Sequence, residues 1–409
     1  MTVGIRHDDL RRRNRAMVIG AIRRAGQASR TGIAATTALS HSTISAIASD
    51  LIGEGILAEA RGGDQPSAPR GRPQVAVQLA PAAGSVMTVV LSMNLLSAAL
   101  VDYAGQTIAD ERRRLPTLDL SKDRLIDEVV AMVGRLLAVT DHRVMRIVMA
   151  VQGITDQAER RLLWSPITPH EDIDFSAILQ DRFGIPATVE NDCNMIAEAL
   201  RWRNPERYAR DFIALLLSHG IGMGMVLRGQ LFTGTQSSGG EFGHMIHRPG
   251  GALCRCGRRG CIEAYAGNYA IWRNAHGLPD DSSVTGDISD DDMKALAARA
   301  RAGAGPEREA FRIAGEAIGF GLGSLFALID PAPVAIVGHG ALAFDLIEEP
   351  MRTAIARTAG GQHSGAISFD TEPDEMPLIR EGCAMRALTY VDQEIFAPGL
   401  ATPALAAAG

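Results

Sequence analysis

Residues 240–261 read GEFGHMIHRPGGALCRCGRRGC, a stretch that combines histidine with closely spaced cysteines. The cysteines follow one another at spacings of two and five, and the glycines between them permit tight turns that bring the sulfurs to one ion. Three thiolates and one imidazole form a closed tetrahedral zinc set with no open position for water, so the predicted zinc is structural. The predicted ligands are His244, Cys254, Cys256 and Cys261.

Two alternatives stay open for this stretch. His247 competes with His244 as the fourth ligand, and cysteines in a Gly-rich turn can also be reduced and idle. The chain has five cysteines, too few and too clustered for a disulfide scaffold, which favours the metal.

A polar cluster lies upstream, where residues 189–194 read VENDCN at the end of a predicted strand and the start of a predicted helix. Ligand groups concentrate at the carboxyl ends of strands in α/β folds. Asn191 and Asp192 can offer a donor and an acceptor to the vicinal hydroxyls of a sugar, and an Asp here can act as a general base. Alternatively, either residue simply caps the helix.

Glycine-rich segments lie between these two clusters, at 218–224 (SHGIGMG) and 239–241 (GGE). Glycines that alternate with apolar residues between strands can let the backbone approach a phosphate or a sugar. Gly-rich hairpins are common, so this pattern alone is weak.

The surrounding chain, from residue 84 onward, alternates strands with helices and predicts an α/β body. A body of this length favours two lobes with a ligand-binding cleft between them. The predicted strands are 86–93, 97–105, a segment near Ile108, 143–151, 186–190, 212–218, 222–228 and 333–337. The predicted helices are 121–140, 175–183, 194–203, 306–329, 341–358 and 381–396.

Length and composition limit the class of protein. The chain has 409 residues, more than the roughly 100–200 of one domain, and its 46% hydrophobic and 22% charged content excludes a mainly disordered or fibrous chain. No uncharged apolar run reaches the ~18–20 residues that cross a bilayer, and the first residues lack the apolar region of a signal peptide. We therefore expect a cytoplasmic protein with no membrane partner.

Charge is unevenly distributed along the chain. Residues 1–75, termed the head, contain eleven arginines and six acidic residues, whereas the whole chain has a net charge of -6. A basic head on an acidic body is typical of a nucleic-acid-binding module joined to another domain.

The head predicts a winged helix-turn-helix. One helix covers Arg11–Ala25, Ser29 can cap a second through Thr37, and Ser40 can cap a third that runs to about Gly53. The third helix would enter the DNA groove, with the apolar residues Ile44, Ile47, Ala48 and Leu51 buried. Three short helices also pack together in many proteins that never touch DNA.

The residues predicted to contact DNA are short polar groups and arginines. Ala46 also lies on the outward side of the third helix. The Arg-Gly-Arg-Pro segment at 70–73 can insert guanidinium groups into a narrow minor groove, or it can act as a plain hinge. The candidate DNA contacts are Arg30, His41, Ser42, Thr43, Ser45, Arg70 and Arg72.

Taken in order, these motifs resemble the ROK family of repressors, open reading frames and sugar kinases. The resemblance spans nearly the whole chain: the head, GRP at 71–73, END at 190–192, GIGMG at 220–224, GEFGH at 240–244 and CRCGRRGCIE at 254–263. The last motif is highly specific.

The resemblance implies a fold, a division into domains and two sites. The fold would be α/β, a two-lobed actin-like (ribonuclease H-like) sugar kinase fold, preceded by an all-α winged helix-turn-helix domain. Residues 76–190 with 378–397 would form the first lobe, and residues 191–377 the second lobe with the zinc site and sugar cleft. By resemblance, zinc falls on the four residues named above, and the sugar contacts fall on Asn191, Asp192, Glu241, His244 and Glu263. Asp192 stands at the catalytic base position of the family's kinases.

One departure from the family pattern bears on activity. Family kinases carry a DxGGT phosphate loop on the first hairpin, yet residues 85–101 contain neither Asp nor Gly. Without glycine the backbone amides cannot reach phosphate oxygens, and without Asp a nucleotide-bound Mg²⁺ lacks its carboxylate. The Gly-rich nucleotide segment is also altered, to Gly338-His339-Gly340. We therefore expect no catalytic residues and no enzymatic activity.

The sequence thus favours a sugar-responsive regulator, more often a repressor in this family, whose partners are operator DNA and a sugar or sugar-phosphate effector. A homodimer or homotetramer is expected because operators for such heads are usually paired. The alternatives are an active ATP-dependent sugar kinase with a DNA-binding head, and a regulator whose cleft binds no sugar.

Overall fold

The computed structural model describes residues 7–60, 76–282, 288–361, 365 and 367–399. Within these ranges a small N-terminal unit precedes two α/β lobes. The helices are α1 His7–Ala25, α2 Arg30–Thr37, α3 His41–Gly53, α4 Lys122–Leu137, α5 Phe175–Phe183, α6 Asp192–Arg203, α7 Pro205–Tyr208, α8 Glu263–Ala266, α9 Asn268–Ala275, α10 Asp290–Ala302, α11 Pro306–Ile329, α12 Phe344–Ala356 and α13 Glu375–Tyr390.

The strands form four sheets. They are β1 Gln27–Ser29, β2 Leu57–Glu59, β3 Ala76–Leu79, β4 Ser85–Ser92, β5 Leu95–Asp102, β6 Thr107–Arg114, β7 Val144–Val151, β8 Ile154–Thr155, β9 Leu162–Trp164, β10 Ala187–Asn191, β11 Phe212–Leu217, β12 Ile221–Leu227, β13 Gln230–Leu231, β14 Val334–Val337 and β15 Phe369–Glu372.

The head folds as predicted around α3. The Ser29 hydroxyl accepts a hydrogen bond from the Gly32 amide, and the Ser40 hydroxyl accepts one from the Thr43 amide, so both predicted N-caps form. The side chains that α3 buries are the predicted four, Ile44, Ile47, Ala48 and Leu51.

The head also contains a three-stranded sheet: β2 agrees with the predicted wing, whereas β1 and β3 were not predicted. The strands are arranged in the order β1-β3-β2, and both β1 and β2 pair antiparallel with β3. The head is therefore not all helical, because a hairpin-like wing is added to its three helices. Since β3 begins at Ala76, the head's sheet continues past residue 75, where the sequence placed the domain boundary.

The first lobe is built on a five-stranded sheet in the order β10-β7-β4-β5-β6. β4, β5 and β6 form an antiparallel meander, and β7 and β10 join in parallel. One face packs apolar side chains against α4 and α5, and the other packs against α6 and α13.

The second lobe is built on a five-stranded sheet in the order β13-β12-β11-β14-β15. Helices α8 to α12 cover one face, and α6 contacts the other through β11 and β12. α6 and α13 pack closely together, so this helix pair forms a layer between the two sheets. The parallel strands β7 and β10 end where α6 begins, which places the carboxyl edge of the first sheet beside the gap between the lobes.

Helix α11 is the described helix long and apolar enough to cross a membrane. More than half of its most apolar window is buried in the protein, where it packs against α9, α10 and α12, as expected of a core helix. This composition is therefore weak evidence for a membrane segment.

The C-terminal helix differs from its predicted bounds. α13 starts at Glu375, capped by the Asp374 side chain, six residues before the predicted 381. Pro377 lies in its first turn, where a missing amide hydrogen removes no helical hydrogen bond. The helix continues into a π-helical segment, Val391–Phe396, that contacts α1 of the head.

Candidate functional site

A cavity of about 530 Å³ lies between the two lobes. Its walls come from the β4–β5 turn, the start of α6, the β11–β12 turn, the metal-motif segment and the start of α13. All five predicted sugar contacts line it, namely Asn191, Asp192, Glu241, His244 and Glu263. The structure therefore brings together side chains that are up to 72 positions apart in sequence.

Asn191 joins β10 to α6 and is fixed from both sides. Its side-chain oxygen accepts hydrogen bonds from the amides of Cys193 and Asn194, and its amide nitrogen donates to the Gly153 carbonyl at 2.9 Å. Asn191 is thus the N-cap of α6 and lines the cavity at the same time. The capping alternative and the ligand-site prediction are compatible for this residue.

Asp192 is the first residue of α6 and is almost fully buried. Burial raises the pKa of its carboxyl to about 7, although the hydrogen bond it accepts from the Cys193 amide opposes the shift. A carboxyl with a pKa near neutrality can accept a proton from a hydroxyl or hold one itself, which suits hydrogen bonding to a polyol.

Glu263 connects the cavity to the metal motif. Its Oε2 accepts a hydrogen bond from the Ile221 amide at 3.1 Å, and its Oε1 lies 3.4 Å from the Tyr269 hydroxyl and 3.6 Å from Cys254 Sγ. A Cβ at Gly220 would lie 2.7 Å from the Glu263 carboxylate, so glycine is required at that position.

The glycines of β12 allow this strand to pack closely against α6. A Cβ at Gly222 would lie 2.4 Å from Cys193 Sγ, and one at Gly224 would lie 2.1 Å from the Cys193 carbonyl oxygen. The alternating glycines of 220–224 therefore let the start of α6 sit directly against this strand. Gly220 and Gly222 also line the cavity, so the approach of a ligand to this backbone stays a prediction.

The metal-motif residues converge in space. One donor atom from each of His244, Cys254, Cys256 and Cys261 lies within 4.8 Å of all the others, a geometry in which these residues could hold a metal ion. His244 Nδ1 is 3.7 Å from Cys254 Sγ, and Cys256 Sγ is 3.8 Å from Cys261 Sγ. His247 is outside this cluster and packs against Tyr265, which favours His244 as the fourth ligand.

His244 faces both the metal cluster and the cavity. Its Nε2 lies 3.8 Å from Glu241 Oε2 on the side opposite the sulfurs, and its ring packs edge-on against Trp164. A metal on Nδ1 would fix the ring orientation and hence the position of Nε2 in the cavity.

The first hairpin approaches the cavity without glycine. β4 and β5 are joined at Met93 and Asn94, with Asn94 in the left-handed region at φ 55°, and residues 92–95 line the cavity. At the far wall, His339 Nε2 lies 3.2 Å from Asp290 Oδ2 and its Nδ1 lies 3.7 Å from Glu375 Oε2. The altered nucleotide segment therefore places an imidazole between two carboxylates at the cavity wall.

The predicted DNA-contacting residues of the head are only partly described. His41 and Ser42 are exposed and Thr43 and Ser45 are half-buried, all on the outward side of α3. The Ser40 hydroxyl lies 2.9 Å from that of Ser42 and 2.8 Å from that of Thr43, which orients both. Arg30 is half-buried, and its Nε is buried without a partner among the described residues. Arg70 and Arg72 lie outside the described residues.

Comparison with known proteins identifies the family. A sequence profile of the ROK family matches residues 91–371. This chain belongs to the ROK family. The match covers more than half of the chain, including the five predicted sugar contacts and the metal motif.

Related ROK proteins include regulators and kinases. The chain is 27% identical over 263 residues to a xylose repressor of Bacillus spizizenii, covering 64% of this chain and 67% of the repressor. It is 24% identical to a xylose repressor of Caldicellulosiruptor bescii over 85% of this chain and 88% of the relative. It is also 24% identical to the DNA-binding transcriptional dual regulator NagC of Escherichia coli over 81% and 82% of the two chains.

Solved ROK structures establish the fold. A ROK transcriptional regulator homologous to E. coli MLC matches with a TM-score of 0.76 at 20% identity, over 95% of this chain and 99% of that one. A Streptomyces griseus ROK glucokinase matches with a TM-score of 0.60 at 25% identity, over 74% and 98%. The predicted two-lobed actin-like sugar kinase fold is confirmed. The regulator's match extends over the head, whereas the kinase's does not cover the whole chain.

Several residues of this ROK cavity were missed by sequence reasoning. Glu375 comes from the unpredicted first turn of α13, and Arg112 and Arg114 come from β6. Ser218 donates a hydrogen bond to Glu375 Oε1 at 3.0 Å, which ties β11 to α13. The charged pattern of β6, DERRR at 110–114, was a signal that could have identified the two arginines.

Proposed function

We propose that this ROK protein is a sugar-responsive transcriptional repressor with no kinase activity. Its head would bind operator DNA through α3, and its interlobe cavity would bind the sugar effector. The observation that carries the proposal is that all five predicted sugar contacts line the cavity, whereas the β4–β5 hairpin lacks the phosphate-binding glycines. The names of the relatives, two xylose repressors and NagC, support the same function.

The cavity could couple to DNA binding through the helix layer between the sheets. α6 and α13 both begin at the cavity, and α13 leads into the segment that contacts α1. A sugar that binds one arrangement of the lobes more tightly than another would bias the head position, and hence operator affinity. Paired heads in a homodimer or homotetramer would then change their spacing.

The second candidate function is an ATP-dependent sugar kinase with a DNA-binding head. The ROK glucokinases among the relatives and the buried Asp192 carboxyl support it. The β4–β5 hairpin opposes it, because it offers neither a flexible backbone cradle nor a carboxylate for Mg²⁺. His339 and its two carboxylate neighbours also occupy the wall where the nucleotide segment lies.

A zinc ion fits the Cys₃His cluster better than other common metals, because the donors are three sulfurs and one imidazole. His244, Cys254, Cys256 and Cys261 would hold it. With four protein ligands it would supply structural stability and fix the orientation of His244, and it would leave no open position for water. The regulator would act in the cytoplasm, where thiols stay reduced and available to the metal.

The proposed function is tested with operator DNA selected from random duplexes on the full chain. In fluorescence anisotropy, D-xylose or D-glucose should change the operator Kd, and Asp192→Ala or Glu241→Ala should remove this response while leaving the sugar-free Kd nearly intact. Ser42→Ala with Thr43→Ala should relax sequence preference, whereas Arg72→Gln should weaken binding to all sequences and lower its salt dependence.

Three outcomes would contradict the proposal. ADP release above background with a panel of hexoses and amino sugars would establish the kinase alternative. An unchanged sugar response in both cavity variants would show that Asp192 and Glu241 do not contact the sugar. Failure of the full chain to select any duplex at low salt would exclude DNA binding by the head.

A further inference from the structure

Two arginines of the edge strand β6 line the cavity without a charge partner. Arg112 and Arg114 belong to the cavity wall, and neither side chain has an ion pair or hydrogen bond to any residue in the part of the chain that the structure describes. Neighbouring arginines are paired: Arg113 with Glu128 and Arg380 with Asp110. The guanidinium groups of Arg112 and Arg114 therefore keep hydrogen-bond donors available at the cavity wall.

The strand geometry explains why these two arginines share a face. Side chains alternate along a strand, and the β5–β6 register places Arg112 beside Ser97 and Arg114 beside Leu95. Asp110, two residues before Arg112, receives a hydrogen bond from Arg380 of α13, which marks the cavity side of the sheet. Arg113 points the other way and donates to Glu128 of α4 at 2.5 Å.

The two arginines lie at the hairpin end of the cavity. Arg114 pairs in register with Leu95, the residue that follows the β4–β5 turn at Met93 and Asn94. Residues separated by two along a strand are about 7 Å apart, a spacing that lets two guanidinium groups converge on one anionic group. Here side chains can supply the donors that a glycine-free backbone turn cannot.

Other parts of the cavity wall are acidic. Asp192 and Glu263 are buried there, and Glu241 joins them from the segment before the metal motif. A ligand with hydroxyls at one end and an anionic group at the other would match both walls, since carboxylates accept hydroxyl protons and guanidinium binds oxyanions. A fully neutral sugar would leave the arginine wall without a partner.

We propose that the effector is an anionic sugar, and that Arg112 and Arg114 bind its phosphate ester or carboxylate. The inference rests on the proposed function, because it assigns the chemical class of ligand to the same cavity. The competing explanation is that β6 carries arginines only to keep an edge strand from pairing with other chains. If the arginines only protect the edge strand, their charge is needed on β6, but they need not contribute to ligand affinity.

The test measures binding of four named sugars to the full chain by isothermal titration calorimetry. The probes are D-glucose 6-phosphate, D-glucuronate, D-glucose and D-xylose, with inorganic phosphate as a fifth ligand. We expect at least one anionic sugar to bind about tenfold or more tightly than D-glucose, since each charged hydrogen bond adds appreciable affinity. The preference should fall at 0.5 M NaCl. Comparing the phosphate with the uronate identifies the anionic group.

The arginines are tested by Arg112→Gln with Arg114→Gln, and the matched control is Arg113→Gln on the opposite face of the same strand. The double variant should lower affinity for the anionic sugar about tenfold or more and leave D-glucose affinity within about twofold. Arg113→Gln should leave both affinities unchanged. Both cavity arginines are exposed, so the double variant should melt within a few degrees of the parent.

Each remaining outcome overturns a defined claim. Equal or tighter binding of the neutral sugars overturns the anionic class but leaves the proposed function standing. Anion preference that persists in the double variant overturns the role of Arg112 and Arg114. Binding of inorganic phosphate alone, or of no sugar at all, overturns both the inference and the sugar-sensing part of the proposed function.

Discussion

At the scale of single residues, the buried carboxyl of Asp192 makes stability depend on pH. Burial raises its pKa from an ordinary value of 3.8 to about 7, so the folded state holds the proton more tightly than the unfolded chain. The contribution of the Asp192 carboxyl to the free energy of unfolding therefore decreases as the pH rises from about 4 to about 7, and it stays low at higher pH.

Asp192→Asn should remove this penalty. The substitution keeps an oxygen for the Cys193 amide, and it should raise the free energy of unfolding at pH 8 by on the order of 2–4 kcal/mol, with no difference near pH 4. Urea denaturation at the two pH values measures the change. Equal stability of both proteins at pH 8 would show that the carboxyl is not penalised by burial.

The candidate site shows what sequence reasoning could and could not find at this scale. The spacing of the thiols was sufficient to bring Cys254, Cys256 and Cys261 together in one cluster with His244. The polar residues after β10 were sufficient to place Asp192 at the cavity. Arg112 and Arg114 were missed because an exposed arginine in a strand pattern does not reveal which face borders a cavity. That information comes from the β5–β6 register and from α13.

At the scale of elements, the crossing of α6 and α13 depends on one glycine. A Cβ at Gly382 would lie 1.9 Å from the Met195 carbonyl oxygen, so the two helices meet backbone to backbone there. Gly382→Ala should lower the free energy of unfolding by about 3 kcal/mol or more, because a helix backbone must move.

Gly20 of α1 provides the matched control for this prediction. It also lies inside a helix, but a Cβ there meets no atom within 4 Å. Gly20→Ala should therefore raise the free energy of unfolding by about 0.5–1 kcal/mol through helix propensity. Chemical denaturation of both variants decides the matter, since a similar effect of both substitutions would mean that the helix crossing tolerates a methyl group.

The metal-motif loop is a second element whose order should depend on one interaction. Cys256→Ser should abolish stoichiometric zinc and lower the free energy of unfolding by on the order of 3 kcal/mol, because it removes one of the four donors of the cluster. Elemental analysis and thermal unfolding measure both effects. Arg258→Gln, in the same loop, should retain zinc. A metal-free preparation with full stability would contradict the structural role.

At the scale of the whole molecule, a buried ion pair joins the two ends of the chain. Arg23 of α1 donates to both carboxylate oxygens of Asp392 at 2.7 and 2.8 Å, and the Tyr103 hydroxyl donates to the same carboxylate at 2.7 Å. The Arg23 and Asp392 side chains are 3% and 6% exposed. The head is thus held against the first lobe and the C-terminal segment by one desolvated cluster.

Asp392→Asn should lower the free energy of unfolding by about 3–5 kcal/mol, because it leaves the Arg23 charge buried without a counter-charge. The control is the exposed pair Arg12–Glu394 on the same two elements, where Glu394→Gln should cost less than about 1 kcal/mol. Urea titrations of both variants provide the comparison. Equal losses in the free energy of unfolding would show that burial does not determine the contribution of the Arg23–Asp392 pair.

The overall architecture was predictable where local patterns are strong. The bounds of α5 and α11 and the buried face of α3 agree with the periodicity, because helix caps and apolar spacing are local properties. A wing was predicted, but its strands β1 and β3, together with β15, were missed because they are three or four residues long and depend on pairing partners distant in sequence. The start of α13 was also missed.

The clasp between Arg23 and Asp392 also has a consequence for biosynthesis. The two residues are separated by 369 positions. At a synthesis rate of about 5–20 residues per second, the ribosome makes the head roughly 20–70 s before it makes the segment that contains Asp392. Nascent chains and products of premature termination would carry a head that is not yet docked. Such heads would bind operators without a response to sugar. Operator binding would respond to sugar only after the C-terminal helical segment has been translated.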